Sequence, residues 1–234
     1  SDEEIEDRTH TDSTIDGSWY NGIESFPKWE EICDNWVNGH ASGRMPNTAI
    51  RNIDKYTDHI FQHSNDPAGS EYIWKGLVVG NVQSGKTATY TGLVGKAIDV
   101  GYRVILIMSG RMNSLRYQTE ARITDQVVGR DNENSIDIDD YLIQLTTLTM
   151  NGDFGQSSDQ VNDAESIANT MRSSEKMCLI AVVKKHYSPL ERFRNHVQEV
   201  IDIYPEFRNL PFLVIDDEMD EAGVNTGGED TPGD

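Results

Sequence analysis

The sequence predicts an α/β fold: a mostly parallel sheet covered by helices on both faces, with a helical arm in front of it. Three observations predict it. Short apolar, β-branched runs at residues 77–79, 103–108, 177–183 and 212–215 alternate with segments of helical periodicity, as strands joined by crossover helices do. Gly80, Gly85, Lys86 and Thr87 form a glycine-rich loop between the first run and a helix, and the last run passes straight into Asp216-Asp217-Glu218. Ligands of parallel sheets gather where the strands end, so both features belong on one rim, with the Ser109-Gly110 turn and the Lys184-Lys185 pair.

The 234 residues suit one large α/β domain with an appended arm, and an apolar fraction of 36% supplies a core. A formal charge of −20 weighs against a nucleic-acid surface over much of the chain, although a local basic groove is compatible with it. The excess of Asp over Glu and of Arg over Lys suits a protein adapted to high salt. No run of 18 apolar residues occurs and the start carries no signal-peptide pattern, so no membrane contact and a soluble, cytoplasmic protein are expected. Cys33 and Cys178 lack metal-like spacing and read as two reduced thiols.

Residues 1–17 are acidic and almost without apolar side chains, too few to offset the entropy of ordering, and are expected to stay mobile. Residues 18–70 read as the arm. A helix begins near Pro27, with Trp19, Phe26, Trp29, Ile32, Cys33, Trp36 and Val37 spaced for one face, and a second follows Pro46, with Ile50, Ile53, Tyr56, Ile60 and Phe61 inward. Trp19, Trp29 and Trp36 are expected in the core rather than around a ligand.

Residues 71–234 read as the main domain. Leu77-Val78-Val79 is its first buried strand, and Tyr90, Leu93, Val94 and Ala97 mark a helix that Gly101 stops. After strand 103–108 a polar helix carries Leu115, Gln118 and Arg122. Residues 141–148 alternate weakly, as a strand can, and 152–163 read as loop. A helix over 164–173, a strand over 177–183, a helix over 189–203 and the strand 212–215 complete the order.

The spacing Gly80-x4-Gly85-Lys86-Thr87 has a phosphate-binding logic. Glycines let the backbone wrap a phosphate closely, and the helix behind adds its positive end. Gly80, Gln83, Ser84, Gly85, Lys86 and Thr87 are therefore the candidate contacts to a nucleoside triphosphate. Lys86 would reach the β- and γ-phosphates, and the Thr87 hydroxyl would be a ligand of Mg²⁺. Carboxylates ending a buried strand supply the complement: Asp217 completes the Mg²⁺ shell, and Glu218 orients or deprotonates the attacking water. The doubled aspartate leaves the register open by one residue, with Asp216 either the metal ligand or a support for the site.

Three stretches carry a resemblance to a family: Val82-Gln83-Ser84-Gly85-Lys86-Thr87, Asn113-Ser114-Leu115-Arg116-Tyr117-Gln118-Thr119, and Asp216-Asp217-Glu218-Met219-Asp220 with Ala222, Asn225 and Thr226. Over residues 74–226 the chain resembles the Z-one domain, a family of P-loop proteins similar to the first motor domain of superfamily-two helicases and found in restriction-endonuclease-type and other prokaryotic defence genes. Met219 stands where that family usually has alanine. The resemblance implies a RecA-like P-loop NTPase domain that binds ATP and Mg²⁺, with Lys86, Thr87, Asp217 and Glu218 in the roles above. It also implies that residues 109–118 face nucleic acid or the sheet rim. Motors of this kind close their site with an arginine from a second domain, so the chain is expected to be an N-terminal piece, weak or inactive alone, that works on DNA as part of a longer protein.

A reading from a different class is a nucleotide-gated switch or scaffold that controls a partner without acting on DNA. A small-molecule kinase would share the Gly-Lys-Thr motif, but the acidic motif after residues 212–215 disfavours it. Basic side chains on the rim at Arg111, Arg116 and Arg122 would favour nucleic acid, against the alternative of a solvated helix face.

Overall fold

Runs of aliphatic and β-branched residues free of turn formers become strands where neighbours cover both faces. The computed structural model describes residues 17–39, 44–69, 74–77, 86–128, 143–145, 164–174 and 177–217. Within them these runs form β1 (Val104–Ser109), β3 (Cys178–Lys184) and β4 (Phe212–Asp216), with the short β2 (Ile143–Leu145) inside the weakly alternating segment. The strand order is β2-β3-β1-β4 and every pairing is parallel. Ile105 aligns with Ile180 and Leu213, and Ile107 with Val182 and Ile215, so apolar rows cross the sheet.

Helices cover both faces. On one lie α2 (Pro27–Asn38), α3 (Asn47–Gln62) and α4 (Lys86–Asp99), preceded by the single turn α1 (Ser18–Asn21). Trp29, Ile32, Trp36, Val94, Ala97 and Ile98 join Ile105, Ile107, Ile180 and Val182 there in one core, with Leu213 and Ile215 against it. On the other face α6 (Ala164–Ser173) and α7 (Tyr187–Ile203) bury Met171, Leu179 and Val200, while Leu190 and Phe193 pack on Leu106, Ala181 and Val183. The remaining helix, α5 (Asn113–Ile123), runs into one π-helical turn over Thr124–Val128.

The arm is an integral layer of this core. In α4, a Cβ at Gly92 would fall 2.7 Å from Ile53 Cγ2 and 2.9 Å from the Trp29 ring, and one at Gly95 would fall 2.6 Å from Ile32 Cδ1. Only bare backbone lets α2 and α3 approach this closely. Lys96, fully buried between these helices, pairs with Asp54 at 2.6 Å and with Asp58. Its ammonium also sits 5.3 Å from the Trp29 ring centroid and 5.4 Å from that of Phe26, a cation–π arrangement.

Two helix ends are satisfied from a distance. No side chain at Phe26 caps α2; instead the Asp99 carboxylate, at the end of α4, accepts the N–H groups of Lys28 and Trp29, each at 2.9 Å. The Arg103 guanidinium donates to the carbonyls of Met171, Ser174 and Met177, at 3.1, 3.0 and 2.6 Å, closing the C-terminal end of α6.

Burial pushes the Asp99 carboxyl up to about 6, outweighing the opposing pull of the two N–H groups and of Lys28. Because the folded protein binds this proton more tightly than the unfolded chain does, the stability Asp99 contributes is fully present below about pH 4. It is lost as pH rises through about 6. Asp99→Asn is therefore expected to remove a term of about 2 to 3 kcal/mol from the pH dependence of stability between pH ~4 and ~6. Denaturant unfolding of both forms across that range measures it, and parallel curves would refute it.

Several expectations need correction. Tyr56 is exposed and Ile60 only half-buried; the buried face of α3 runs through Ile50, Ile53, Thr57 and Phe61. Thr57 fits inside because its hydroxyl donates to the Ile53 carbonyl at 2.9 Å, so a small hydrogen-bonded side chain takes the place assigned to a large ring. Residues 74–77 hold no regular structure and Leu77 is exposed, so the expected strand does not begin there; Val78 and Val79 lie outside the described residues, as do most of residues 1–17 and the loop 152–163. Trp29 and Trp36 are core residues as expected, whereas Trp19 is half-buried and donates through Nε1 to the Ser64 carbonyl. Cys33 and Cys178 are both free, and burial pushes each thiol up to about 12, which leaves them protonated. No helix among the described residues is long and apolar enough to cross a membrane.

Candidate functional site

Parallel pairing brings the carboxyl ends of β1, β3 and β4 to one edge, so Ser109, Lys184 and Asp216 finish side by side. Cross-links tighten this rim. The Lys185 N–H donates to the Ser109 carbonyl at 2.9 Å, and the Asp217 N–H donates to the Met108 carbonyl at 3.0 Å, carrying the ladder one residue past β4. Lys184 Nζ donates to Asn113 Oδ1 at 3.0 Å, tying the first residue of α5 to the end of β3.

Side chains alternate along a strand, and β4 shows the alternation in its contacts. Leu213 and Ile215 pack into the core beneath α4, whereas Phe212 meets Phe193 of α7 at 6.4 Å between ring centroids. Continued by one residue, the rows separate the two aspartates: Asp217 falls on the α4 side and Asp216 on the α7 side. The neighbours agree. Asp216 pairs with Lys185 at 2.9 Å, and the Asp217 charge acts on Tyr90, one turn into α4. Tyr90 is buried, and its hydroxyl accepts from Arg122 Nη1 at 3.4 Å. Burial raises the Tyr90 pKa first, and the Asp217 carboxylate adds to the rise.

Lys86 and Thr87 are the first described residues of α4, so a helix stands where one is expected behind the loop; Gly85, near which it is expected to start, lies outside the described residues. Gly80, Gln83, Ser84, Gly85 and Glu218 lie outside the described residues. The structure thus brings Asp217 to the end of β1, beside that of β3 and within electrostatic reach of Tyr90 in α4. Among the described residues no group of three or more His, Cys, Asp or Glu side chains is placed to hold a metal. Mg²⁺ needs no such group, since it takes one or two carboxylates and fills its shell with phosphate oxygens and water.

The basic side chains that would favour nucleic acid if they stood on the rim divide. Arg111 is exposed, but Arg116 is buried against Glu120 one turn along α5, and Arg122 turns to Tyr90. Arg116 is therefore neither a rim residue nor part of a solvated face: the i,i+4 carboxylate lets the guanidinium enter the interior as a pair. Spacing signalled two pieces of the site that contacts now define. Tyr90 sits on the helical stripe of α4, and the Lys184-Lys185 run was placed on the rim without its partners, Asn113 and Asp216.

An apolar cavity of about 150 Å³ lies between α6, α7 and the sheet, lined chiefly by Ile167, Met171, Leu179, Phe193, Val200 and Phe212. Val104 and Phe212, which open β1 and β4, also border it, so it lies at the opposite end of the strands from the rim. In comparisons with known proteins, no family model, no curated protein and no solved structure matches the chain.

Proposed function

We propose that the chain binds ATP with Mg²⁺ through residues 80–87 and Asp217, as the RecA-like first motor domain of a helicase-like, nucleic-acid-directed ATPase of the restriction or defence type. One observation carries this reading: the alternation of β4 puts Asp217 on the α4 side of the rim, beside the helix that Lys86 and Thr87 open. A phosphate loop and a strand-end aspartate must share one side of a sheet to bind one metal–phosphate unit. The same alternation favours Asp217 over Asp216 as the metal ligand.

In this reading the backbone N–H groups of the loop and the Lys86 ammonium hold the phosphates, and Thr87 and Asp217 hold the cation. Mg²⁺, when bound, neutralises charge developing on the transferred phosphoryl group. Glu218, next along the chain, accepts a proton from the attacking water.

Two observations favour the switch reading as the second possibility. The charge of −20 opposes an extended nucleic-acid surface, and the arm grips the helix that begins at the phosphate loop. ATP hydrolysis measured with and without DNA separates the two. Stimulation by DNA is expected for a motor. Nucleotide binding with DNA-independent turnover would favour the switch, and absence of binding in calorimetry with ATP and Mg²⁺ would overturn both.

A further inference from the structure

The rim holds a pair of charges that the proposed chemistry does not use. Lys185 follows β3, and its ammonium lies 2.9 Å from Asp216 Oδ1, with the two side chains only 15% and 24% exposed. The Lys185 backbone is itself fixed to the end of β1 through Ser109. The pair therefore stands in a set place, on the α7 side of β4, back to back with Asp217.

We propose that Lys185 is a positioning residue that holds and neutralises Asp216 on the α7 side, leaving Asp217 as the one carboxylate of the doublet that meets the cation and phosphates. The proposal rests on the nucleotide reading above and deepens it. Two adjacent carboxylates at a phosphate site pose a problem of charge: the one that does not bind the metal still repels the nucleotide. An ammonium on the far side of the strand removes that repulsion without competing for the phosphates, because it is occupied by Asp216.

The test uses the whole chain and ATP as probe, with affinities measured by calorimetry in excess Mg²⁺ and in EDTA. Lys185→Met uncovers the Asp216 charge. Affinity in EDTA should fall about fivefold, the order of the effect of one uncompensated unit charge near the phosphates in a half-exposed setting, and less in Mg²⁺. The ratio between the two conditions widens. Adding Asp216→Asn should restore the ratio, and Lys185→Arg should leave it unchanged. Asp216→Asn alone should do the reverse and raise affinity in EDTA, which keeps the proposal testable even if Lys185→Met folds poorly. A purely structural Lys185 would lose affinity equally in both conditions, without rescue by Asp216→Asn. That result, or no change in EDTA for Asp216→Asn, would overturn the positioning role and leave the nucleotide reading standing. Failure of the unaltered chain to bind ATP would overturn both.

Discussion

Lys86→Ala is expected to abolish nucleotide binding, by about 10²-fold or more, while leaving the fold intact. Truncating one partner of a desolvated charge pair costs about 2–5 kcal/mol, and the lysine of a phosphate loop faces the most concentrated negative charge of the ligand. A lysine that reaches from a loop to a ligand is not part of a core, and surface substitutions generally change stability by less than about 0.5 kcal/mol. Lys96 supplies the contrast within the same helix. It is buried between Asp54 and Asp58 under two aromatic rings, so Lys96→Ala should lower the melting temperature. Calorimetry with ATP and Mg²⁺, beside thermal denaturation, reads both. Unchanged affinity in Lys86→Ala would mean that residues 80–87 form an ordinary glycine turn.

Asp217→Asn and Glu218→Gln should fail in different ways. The first removes a full charge from the Mg²⁺ shell, so affinity should fall when Mg²⁺ is present and rise in EDTA, where Asp217 has no cation to hold and only repels the phosphates. The second keeps shape and hydrogen bonding but removes the base, so nucleotide should still bind while turnover falls by about 10² to 10⁴. Asp216→Asn is the control for register. Asp216 is held by Lys185 on the opposite side of β4, so in the presence of metal Asp216→Asn should cause no loss comparable to that of Asp217→Asn. A larger loss at Asp216 would move the metal ligand back by one residue, and indifference at all three acids would remove the site.

Where a signal was continuous, the chain was legible. The runs that became β1, β3 and β4 are uninterrupted aliphatic stretches, and residues 164–173 became α6 without shift. Reading failed where a side chain's partner lies far away in sequence or defies its type. Tyr56 looks like a core residue by size, yet Thr57 is buried because its hydroxyl can bond within the helix. Arg116 looks like a surface cation, yet Glu120 accompanies it inward. The caps at Asp99 and Arg103 act on helix ends about 70 residues away, a distance no local pattern reports. The doubled aspartate showed the limit most directly: strand alternation predicts opposite sides, but only the contacts of Leu213, Ile215 and Phe212 say which side is which.

The bare backbone at Gly92 and Gly95 bears on where this protein can be divided. Composition marks a seam near residue 70, but the packing does not follow it. Cutting there would strip Lys96 of both counter-ions, uncap α2, and open two notches in α4 shaped for Trp29 and Ile32. Residues 86–99 grafted onto another scaffold would carry a naked ammonium and a groove that fits nothing. The smallest transferable piece therefore begins at the arm, and a swap of arms between proteins would have to carry its own α4 with it.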